Sequence, residues 1–263
     1  MRVLSKFREI YRYREMLYVL VYRDIKARTK QAFVGYLWVI IQPLLATGVF
    51  TILIQSVLKL DLTEAIPYPV FVCAGMILWQ YFANSLTAST ESLSGNVNLI
   101  TQVYFPRDVL ILYPIISKLV DLAVSFGALG LLLVLFQVSV SWMLILAPMF
   151  VLLCMALTYG LGLFLAPLNV AARDVARAVP ILLSFALYAT PVLYPLQRVP
   201  EQYQMLYLLN PMAVVVEGFR GALLQGQLPP AWALAWTAIL SIGLLLVGQV
   251  AFQAFETVLA DVI

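Results

Sequence analysis

The sequence predicts an all-α membrane protein with six transmembrane helices. Hydrophobic residues make up 63% of the 263 residues and charged residues only 11%, whereas a soluble domain carries roughly 25% charged residues. Six apolar segments each approach the ~20 residues that a helix needs to cross a bilayer. The predicted spans are about residues 33–58, 69–88, 109–137, 142–168, 179–196 and 231–255.

The distribution of basic residues predicts the orientation. Of the 16 Lys and Arg residues, nine fall within residues 1–30, and the loops on the same side add Arg107, Arg173 and Arg177. Cytoplasmic segments carry an excess of Lys and Arg, and an even number of spans places both termini on one side. We therefore expect a multi-pass protein with both termini in the cytoplasm.

The first segment, residues 1–30, has apolar residues at helical spacing between its charges. These residues are Val3, Phe7, Ile10, Leu17 and Leu20. The pattern predicts an amphipathic helix on the inner membrane surface. It could serve as a lipid anchor or as a docking surface for a cytoplasmic partner.

The segment between spans five and six, residues 197–230, is too polar and too interrupted to cross a membrane. It contains two short amphipathic pieces, and Asn210-Pro211 between them is a turn signal. We expect two short re-entrant helices in the outer leaflet that line a pore mouth, because irregular backbone at membrane depth must be surrounded by protein or water. The candidate outer-gate residues are Tyr203, Tyr207, Asn210, Pro211, Glu217 and Arg220.

Glu217 and Arg220 share one helical face at a spacing that permits an ion pair. Three roles are open for them: a solvated pair at the interface, a pair that fixes the hairpin at a dimer axis, or contact between Arg220 and an anionic headgroup. Lys118 and Asp121 have the same spacing in span three. They fit a structural ion pair at the inner interface, although ionisable residues within a span are also functional candidates.

The motifs of several enzyme classes are missing from the sequence. It contains no phosphate-binding loop of the form G-x-x-x-x-G-K-[ST], no His and no acidic cluster, so we expect neither an ATP site nor a metal site in this chain. The short run Leu93-Ser94-Gly95-Asn96 is superficially like the signature of ABC ATPases, and we interpret it as coincidence. A membrane-embedded glycosyltransferase is disfavoured because it would need clustered carboxylates.

Aromatic residues are abundant, with 14 Tyr, 14 Phe and 5 Trp. Interface belts explain many of them, but some lie deeper in the predicted spans. Aromatic rings offer an apolar face, and a Tyr hydroxyl adds a hydrogen bond, so a channel for sugars is one interpretation and core packing is the other. The candidate channel-lining residues are Trp79, Tyr81, Phe82, Tyr188 and Tyr194.

Four stretches together resemble the permease subunits of ABC-2-type exporters, in particular those of O-antigen, teichoic-acid and capsular polysaccharides. They are RDIKARTKQAFVGYLWVIIQPL at 23–44, NLITQVYFPRDVLILYPIIS at 98–117, LNVAARDVARAVPILLSFALYATPVLYPL at 168–196 and YLLNPMAVVVEGFRGALL at 207–224. The resemblance covers nearly the whole chain. It implies an interface helix at 1–30, a six-helix domain at 31–263, and transport of a lipid-linked polysaccharide across a bacterial inner membrane.

The resemblance also implies partners. Two copies of the chain would pair with two copies of a separate ATPase that holds ATP–Mg, and no nucleic acid would be involved. The loop from Asn98 to Asp108 would be a coupling helix that contacts the ATPase. The contact residues implied are Asn98, Gln102, Tyr104, Phe105, Pro106, Arg107, Asp108, Arg173 and Asp174. An ABC-2 exporter of a drug or lipo-oligosaccharide, and a secondary transporter, are the alternatives, and the identity of the polymer is open.

Overall fold

The computed structural model describes residues 11–30, 37–59, 66–103 and 105–262, and every regular element within them is helical. This confirms the predicted all-α class. The α-helices are α1 Arg14–Lys30, α2 Leu37–Thr51, α3 Tyr68–Glu91, α4 Val97–Gln102, α5 Asp108–Leu135, α6 Ala147–Ala171, α7 Asp174–Ala189, α8 Glu201–Leu209, α9 Pro211–Arg220 and α10 Ala231–Val262.

Five helical segments in the described part of the chain are long and apolar enough to cross a membrane. They are Leu37–Val57, Tyr68–Glu91, Asp108–Leu135, Trp142–Ala171 and Ala231–Glu256. The first combines α2 with a π-helical turn, Ile52–Val57, and the fourth begins with the 3-10 turn Trp142–Leu146 before α6. The five correspond to predicted spans one, two, three, four and six.

The predicted fifth span, residues 179–196, overlaps α7, which begins five residues earlier, ends at Ala189 and has only 16 residues. At 1.5 Å per residue it is about 24 Å long, less than the ~30 Å of a bilayer core. It ends early because Thr190 precedes Pro191, and a residue before proline is pushed out of the helical region; Thr190 is indeed extended. The count of six spans therefore stays a prediction.

Helix α3 lies at the centre of the bundle and contacts α2, α5, α6, α7 and α9. Val70, Val72, Cys73 and Ala74 on successive faces are fully buried. A helix that is apolar all round is one buried on all sides, and α3 fits that rule. The helix also joins the two ends of the molecule, since Tyr68 lies near the outer hairpin and Glu91 near α4.

The interface helix α1 packs along α5. Leu20 is buried, and Met16 and Leu17 pack partly against the same core, so the apolar stripe contacts the bundle. The roles of lipid anchor and of docking surface for residues 1–30 both stay predictions. The opposite side of α1 exposes Tyr18 and Tyr22, which stack on each other. Val3, Phe7 and Ile10 lie outside the described residues.

Glycines permit the closest approaches between helices, as is common where small residues pack in membrane proteins. A Cβ at Gly160 on α6 would lie 2.9 Å from Leu244 on α10, and one at Gly248 would lie 2.9 Å from the Gly160 carbonyl. At Gly218 on α9 the ring of Phe150 occupies the place of a Cβ. Contact between α6 and both α9 and α10 depends on these positions.

Gly218→Ala should destabilise the protein, because the new methyl group overlaps the fully buried Phe150 ring. Overpacking of this kind costs about 1–3 kcal/mol, so the thermal unfolding midpoint in detergent should fall. Gly130→Ala on α5 is the matched control, since nothing lies within 4 Å of a Cβ there. Equal midpoints for Gly218→Ala and the wild type would contradict the packing described.

Candidate functional site

The loop between α3 and α5 forms the end of the bundle that the charge distribution assigns to the cytoplasm. It contains the 3-10 turn Ser94–Asn96 and the short helix α4. Val97, Asn98, Thr101, Gln102 and Val103 are exposed along it. Asn98 and Gln102 are therefore accessible, and their contact with an ATPase stays a prediction. We call these five residues, together with Arg173, Asp174 and Arg177, the coupling surface.

The same structure corrects the role of Phe105, which is only 5% exposed. Pro106 and Asp108 are also buried, so the expectation that these three contact an ATPase is wrong. The loop is short and must re-enter the bundle at α5, so the residues before the helix pack against it. Because Phe105 belongs to the core, a Phe105→Ala variant would lose packing, and lost export could not be ascribed to coupling alone. Tyr104 lies outside the described residues.

Helix α10 forms hydrogen bonds with the end of the loop between α3 and α5. Arg107 donates from Nη1 to the Glu256 carbonyl at 3.5 Å, and Gln249 donates to the Asp108 carboxylate at 3.2 Å. Asp108 also lies in the first turn of α5, where a negative charge is favoured by the helix dipole. Arg107 is thus a positioning residue for the loop rather than part of its exposed edge.

Two asparagines join α4 and its loop to α1 and to the α6–α7 junction, and sequence reasoning missed both roles. Asn96 accepts from Arg23 of α1 at 2.8 Å and donates to the Ser92 carbonyl at 2.8 Å. Asn169 donates to Ser94 at 2.9 Å and accepts from the backbone N–H of Ala176 at 3.0 Å. Ser94 and Asn96 belong to the run at 93–96, whose likeness to the ABC ATPase signature we interpret as coincidence. Both residues have structural roles instead. No signal in the sequence links residues this far apart.

Arg173 and Asp174 lie at the junction of α6 and α7, on the same end of the bundle as α4. The Asn169–Ser94 hydrogen bond brings that junction against the loop. Asp174 pairs with Arg177 at 3.4 Å, and both side chains are exposed. An exposed pair of this kind adds little stability, so these charges are accessible to a partner.

A charge network connects α1 to α5 at the predicted inner interface. Lys118 and Asp121 pair at 2.9 Å, which confirms the predicted ion pair. Arg28 of α1 also reaches Asp121, at 2.7 Å, and it pairs with Asp24 on its own helix. Asp24 accepts from Ser117 of α5. The participation of α1 was not predicted, because it pairs residues some 90 positions apart.

The outer hairpin contains the two short helices that the sequence predicts, α8 and α9, separated at Asn210. The Asn210 side chain accepts from the N–H of Met212 at 3.0 Å, which is the usual N-cap arrangement, and Pro211 takes the first helical position. Asn210 also donates to Thr190 at 3.1 Å. The turn is thereby joined to the end of α7. Entry of the hairpin into a membrane leaflet stays a prediction.

Arg220 is fully buried. Its guanidinium donates to Glu217 at 3.1 Å, to the Pro191 carbonyl at 3.3 Å and to the Val192 carbonyl at 2.8 Å. It also lies 3.5 Å from the centroid of the Phe71 ring. A solvated pair and direct headgroup contact by Arg220 are therefore both wrong for this structure.

The early end of α7 explains the position of Arg220. Past the last helical turn, the carbonyls of Pro191 and Val192 need donors, because buried backbone groups are nearly always hydrogen-bonded. Arg220 supplies them, and Gly75 leaves room, since a Cβ there would overlap the guanidinium. Burial raises the pKa of the Glu217 carboxyl, and the Arg220 cation opposes that shift.

The predicted channel aromatics separate into two groups. Trp79, Tyr81 and Phe82 are buried within the chain, so their assignment as channel lining is wrong. Their helix, α3, is central, and its one open side carries Gln80 and Asn84 rather than these rings. Trp79 packs on Phe82 at 5.7 Å, and Tyr81 donates to the Ile115 carbonyl at 3.2 Å.

The remaining aromatics lie at the outer end. Tyr188 is 58% exposed. Tyr194, Tyr203 and Tyr207 line an open hollow of about 520 Å³ beside Arg198. The Tyr194 hydroxyl donates to the Tyr188 carbonyl at 2.8 Å and lies 3.1 Å from that of Tyr207. Burial and the hydrogen bond with the Tyr207 hydroxyl raise the pKa of Tyr194.

Long apolar helices, an exposed loop at one end and a polar hairpin at the other are the features of a multi-pass membrane protein. The family is shown directly: residues 15–224 match the ABC-2 type transporter model, and the chain belongs to that family. It is 30% identical to the O-antigen export system permease protein RfbA of Myxococcus xanthus, over 94% of this chain and 95% of that protein.

Further relatives agree. The chain is 27% identical to an RfbA of Klebsiella pneumoniae over 81% of its length and 82% of the relative. It is 25% identical to the polysialic acid transport protein KpsM of Escherichia coli over 90% and 92% of the two lengths. The resemblance seen in the sequence is confirmed at the level of the family. The chain is thus a multi-pass inner-membrane transporter component rather than an enzyme.

Exchanging the charges of Glu217 and Arg220 should not restore the stability that each single substitution removes. An arginine at 217 is not positioned on the Pro191 and Val192 carbonyls, and a glutamate at 220 would face those carbonyl oxygens. Glu217→Arg and Arg220→Glu should each lower the unfolding midpoint, since breaking a buried pair costs about 3–5 kcal/mol. The double variant should remain far below the wild type.

The matched control is the exposed pair of the same spacing, Asp174→Arg with Arg177→Asp, whose midpoint should not change. Recovery of the wild-type midpoint by the Glu217–Arg220 exchange would show that the carbonyl contacts contribute nothing.

Proposed function

We propose that this chain is the permease subunit of an ATP-driven exporter that moves a lipid-linked polysaccharide from the cytoplasm across the inner membrane. The observation that carries the proposal is similarity over nearly full length to permeases named for O-antigen export and for polysialic acid transport. Membership in the ABC-2 family adds the ATP-driven class. Both termini lie in the cytoplasm in this proposal.

Energy comes from a separate ATPase subunit, which binds ATP–Mg. The coupling surface supports such a contact, because Val97 and Val103 present exposed apolar side chains next to the polar Asn98 and Gln102. Apolar anchors surrounded by polar groups are typical of protein interfaces. Phe105 connects the loop to the core behind it, so movement of the loop is passed to the bundle.

Two copies of the chain form the path, related by a two-fold axis, which is the commonest closed symmetry. Helix α7 supports pairing. It exposes Ile181, Leu182, Phe185 and Tyr188, yet it is too short to face lipid across the whole bilayer core. A second protein surface beside α7 removes that mismatch.

The hollow beside Tyr194, Tyr203 and Tyr207 forms part of the exit. Tyr rings pack on the C–H faces of sugars, and their hydroxyls add hydrogen bonds. Weak contacts at several sites allow a polymer to leave, as weak multi-site binding does for ions in channels.

Val97→Glu should weaken assembly with the ATPase and ATP-dependent export at least tenfold. Val97 is 38% exposed and begins α4, where a carboxylate suits the helix N-terminus, so the fold should be kept. Val140 is 44% exposed and lies in the outer loop, next to Ser141, which bonds the Leu223 carbonyl of the hairpin segment. Val140→Glu is therefore the matched control.

The measurement is the amount of ATPase subunit that co-purifies with each variant in detergent, with glycan export in cells beside it. We expect at least a tenfold loss for Val97→Glu and none for Val140→Glu. Normal co-purification and export by Val97→Glu would overturn the assigned coupling surface. Export of a small apolar drug, without any glycan defect on deletion, would favour the other ABC-2 class.

A further inference from the structure

A second hollow lies at the opposite end of the bundle from the tyrosines, between α1, α2, α3 and α5. Its volume is about 180 Å³. Ile77, Leu122 and Val39 form apolar parts of its wall. Its polar lining comes from Gln42 of α2, from Gln80 and Asn84 of α3, and from the charge network of Arg28, Lys118 and Asp121. Nothing in the proposed export path described so far uses this hollow.

Three amide side chains face this hollow: those of Gln42, Gln80 and Asn84. Gln80 and Asn84 are four residues apart on α3 and so share one helical face. Within the described part of the chain, these three side chains have no hydrogen-bond partner. Gln42 and Asn84 are exposed and Gln80 is half-buried, so all three amides are available to hydrogen-bond a polar ligand in the hollow.

An aromatic ring accompanies the amides. Trp38 is four residues before Gln42 on α2, lines the same hollow and is 57% exposed. An exposed indole offers an apolar face and one N–H donor. Amides that both donate and accept, placed beside an open aromatic face, match the alternating hydroxyl and C–H surfaces of a sugar ring.

The charges at the back of the hollow argue against a phosphate as the ligand. Arg28 is already paired with Asp24 and Asp121, and Lys118 is paired with Asp121. Two cations and two carboxylates leave the wall neutral, so it has no net attraction for an anion. The side chains without intramolecular partners are neutral amides, which favours a neutral, hydroxyl-rich ligand.

The position of the hollow indicates how such a ligand would be presented. Its wall includes the interface helix α1 and the ion pairs of α5, which belong at headgroup level. Its other wall, α2, is a span that exposes Leu45 and Val49 further along. A ligand held here would have its polar part among the amides and an attached chain beside the apolar surface of α2.

We propose that this hollow binds one sugar ring of a lipid-linked saccharide in the inner leaflet. The inference rests on the proposed function, because it assigns the entry site for the glycolipid that the exporter moves. A cavity of this size accommodates a single ring, so the ring nearest the lipid is held while the rest of the glycan remains outside.

The test is equilibrium binding of tritiated decyl glucoside, or decyl galactoside, to the transporter assembled with its ATPase in lipid nanodiscs free of sugar detergents. We expect saturable binding of one molecule per chain. Gln42→Leu with Asn84→Leu should weaken it at least tenfold, through the loss of two hydrogen bonds. Both side chains are exposed, so the fold is not at risk. Gln55→Leu, an exposed amide further along the same helical span, should bind normally.

Competition identifies the ligand. Decyl phosphate should compete poorly, and competition as strong as that of decyl glucoside would overturn the neutral-sugar assignment. Methyl glucoside should compete at least tenfold more weakly, because it has no chain to lie against α2. Equal competition by methyl glucoside would overturn the lipid-linked source in favour of free saccharide.

ATP-dependent export by the same preparation separates this inference from the proposed function. A wild type that exports glycan but binds no decyl glycoside saturably would overturn the entry site and leave the function standing. Equal binding by the Gln42→Leu, Asn84→Leu double variant and the Gln55→Leu control would likewise overturn the entry site and leave the function standing. A wild type that binds decyl glycoside but neither assembles with an ATPase nor exports would instead overturn the proposed function.

Discussion

The outer half of the structure depends on the buried guanidinium of Arg220. A charge removed from water costs several kcal/mol unless it is paired and hydrogen-bonded, and here Glu217, two carbonyls and the Phe71 ring surround it. Those contacts join α9, the segment after α7 and the central helix α3. Because α7 ends before Pro191, the segment that follows would otherwise have unsatisfied carbonyls. One side chain therefore holds both the break in α7 and the second helix of the hairpin.

The end of the bundle that contains α4 is joined differently, through amides and partly exposed ion pairs. Asn96 and Asn169 connect the α4 loop to α1 and to the junction before α7. Helix α3 runs between the two ends, from the residues packed around Arg220 to the loop that carries the coupling surface. A displacement of the loop would therefore reach the hairpin through a single buried helix. The hollow with amides is lined in part by α3, whereas the hollow with tyrosines lies between α8 and the segment that follows α7.

Hydropathy and turn signals were sufficient for the helical class, for five of the spans and for the break at Asn210, because these features depend on residues close together in the sequence. The Lys118–Asp121 pair followed from helical spacing for the same reason. Trp79 and Phe105 could not be assigned in this way, since an apolar ring suits a core and an interface equally well, and only packing distinguishes them. The carbonyl partners of Arg220 and the link from Arg28 to Asp121 join distant positions, and no local pattern encodes them.

ATP-dependent movement of a lipid-linked glycan across reconstituted proteoliposomes is the most direct measurement of what this chain does. The chain and the ATPase subunit from the same genome would be purified separately, combined in liposomes, and assayed for glycan that becomes accessible to an enzyme on the far side. With both proteins and ATP–Mg, the accessible fraction should rise with time, and it should stay at background when either protein or ATP is omitted. Glycan movement by this chain alone, without ATP or the ATPase, would contradict its assignment as the permease half of a two-protein exporter.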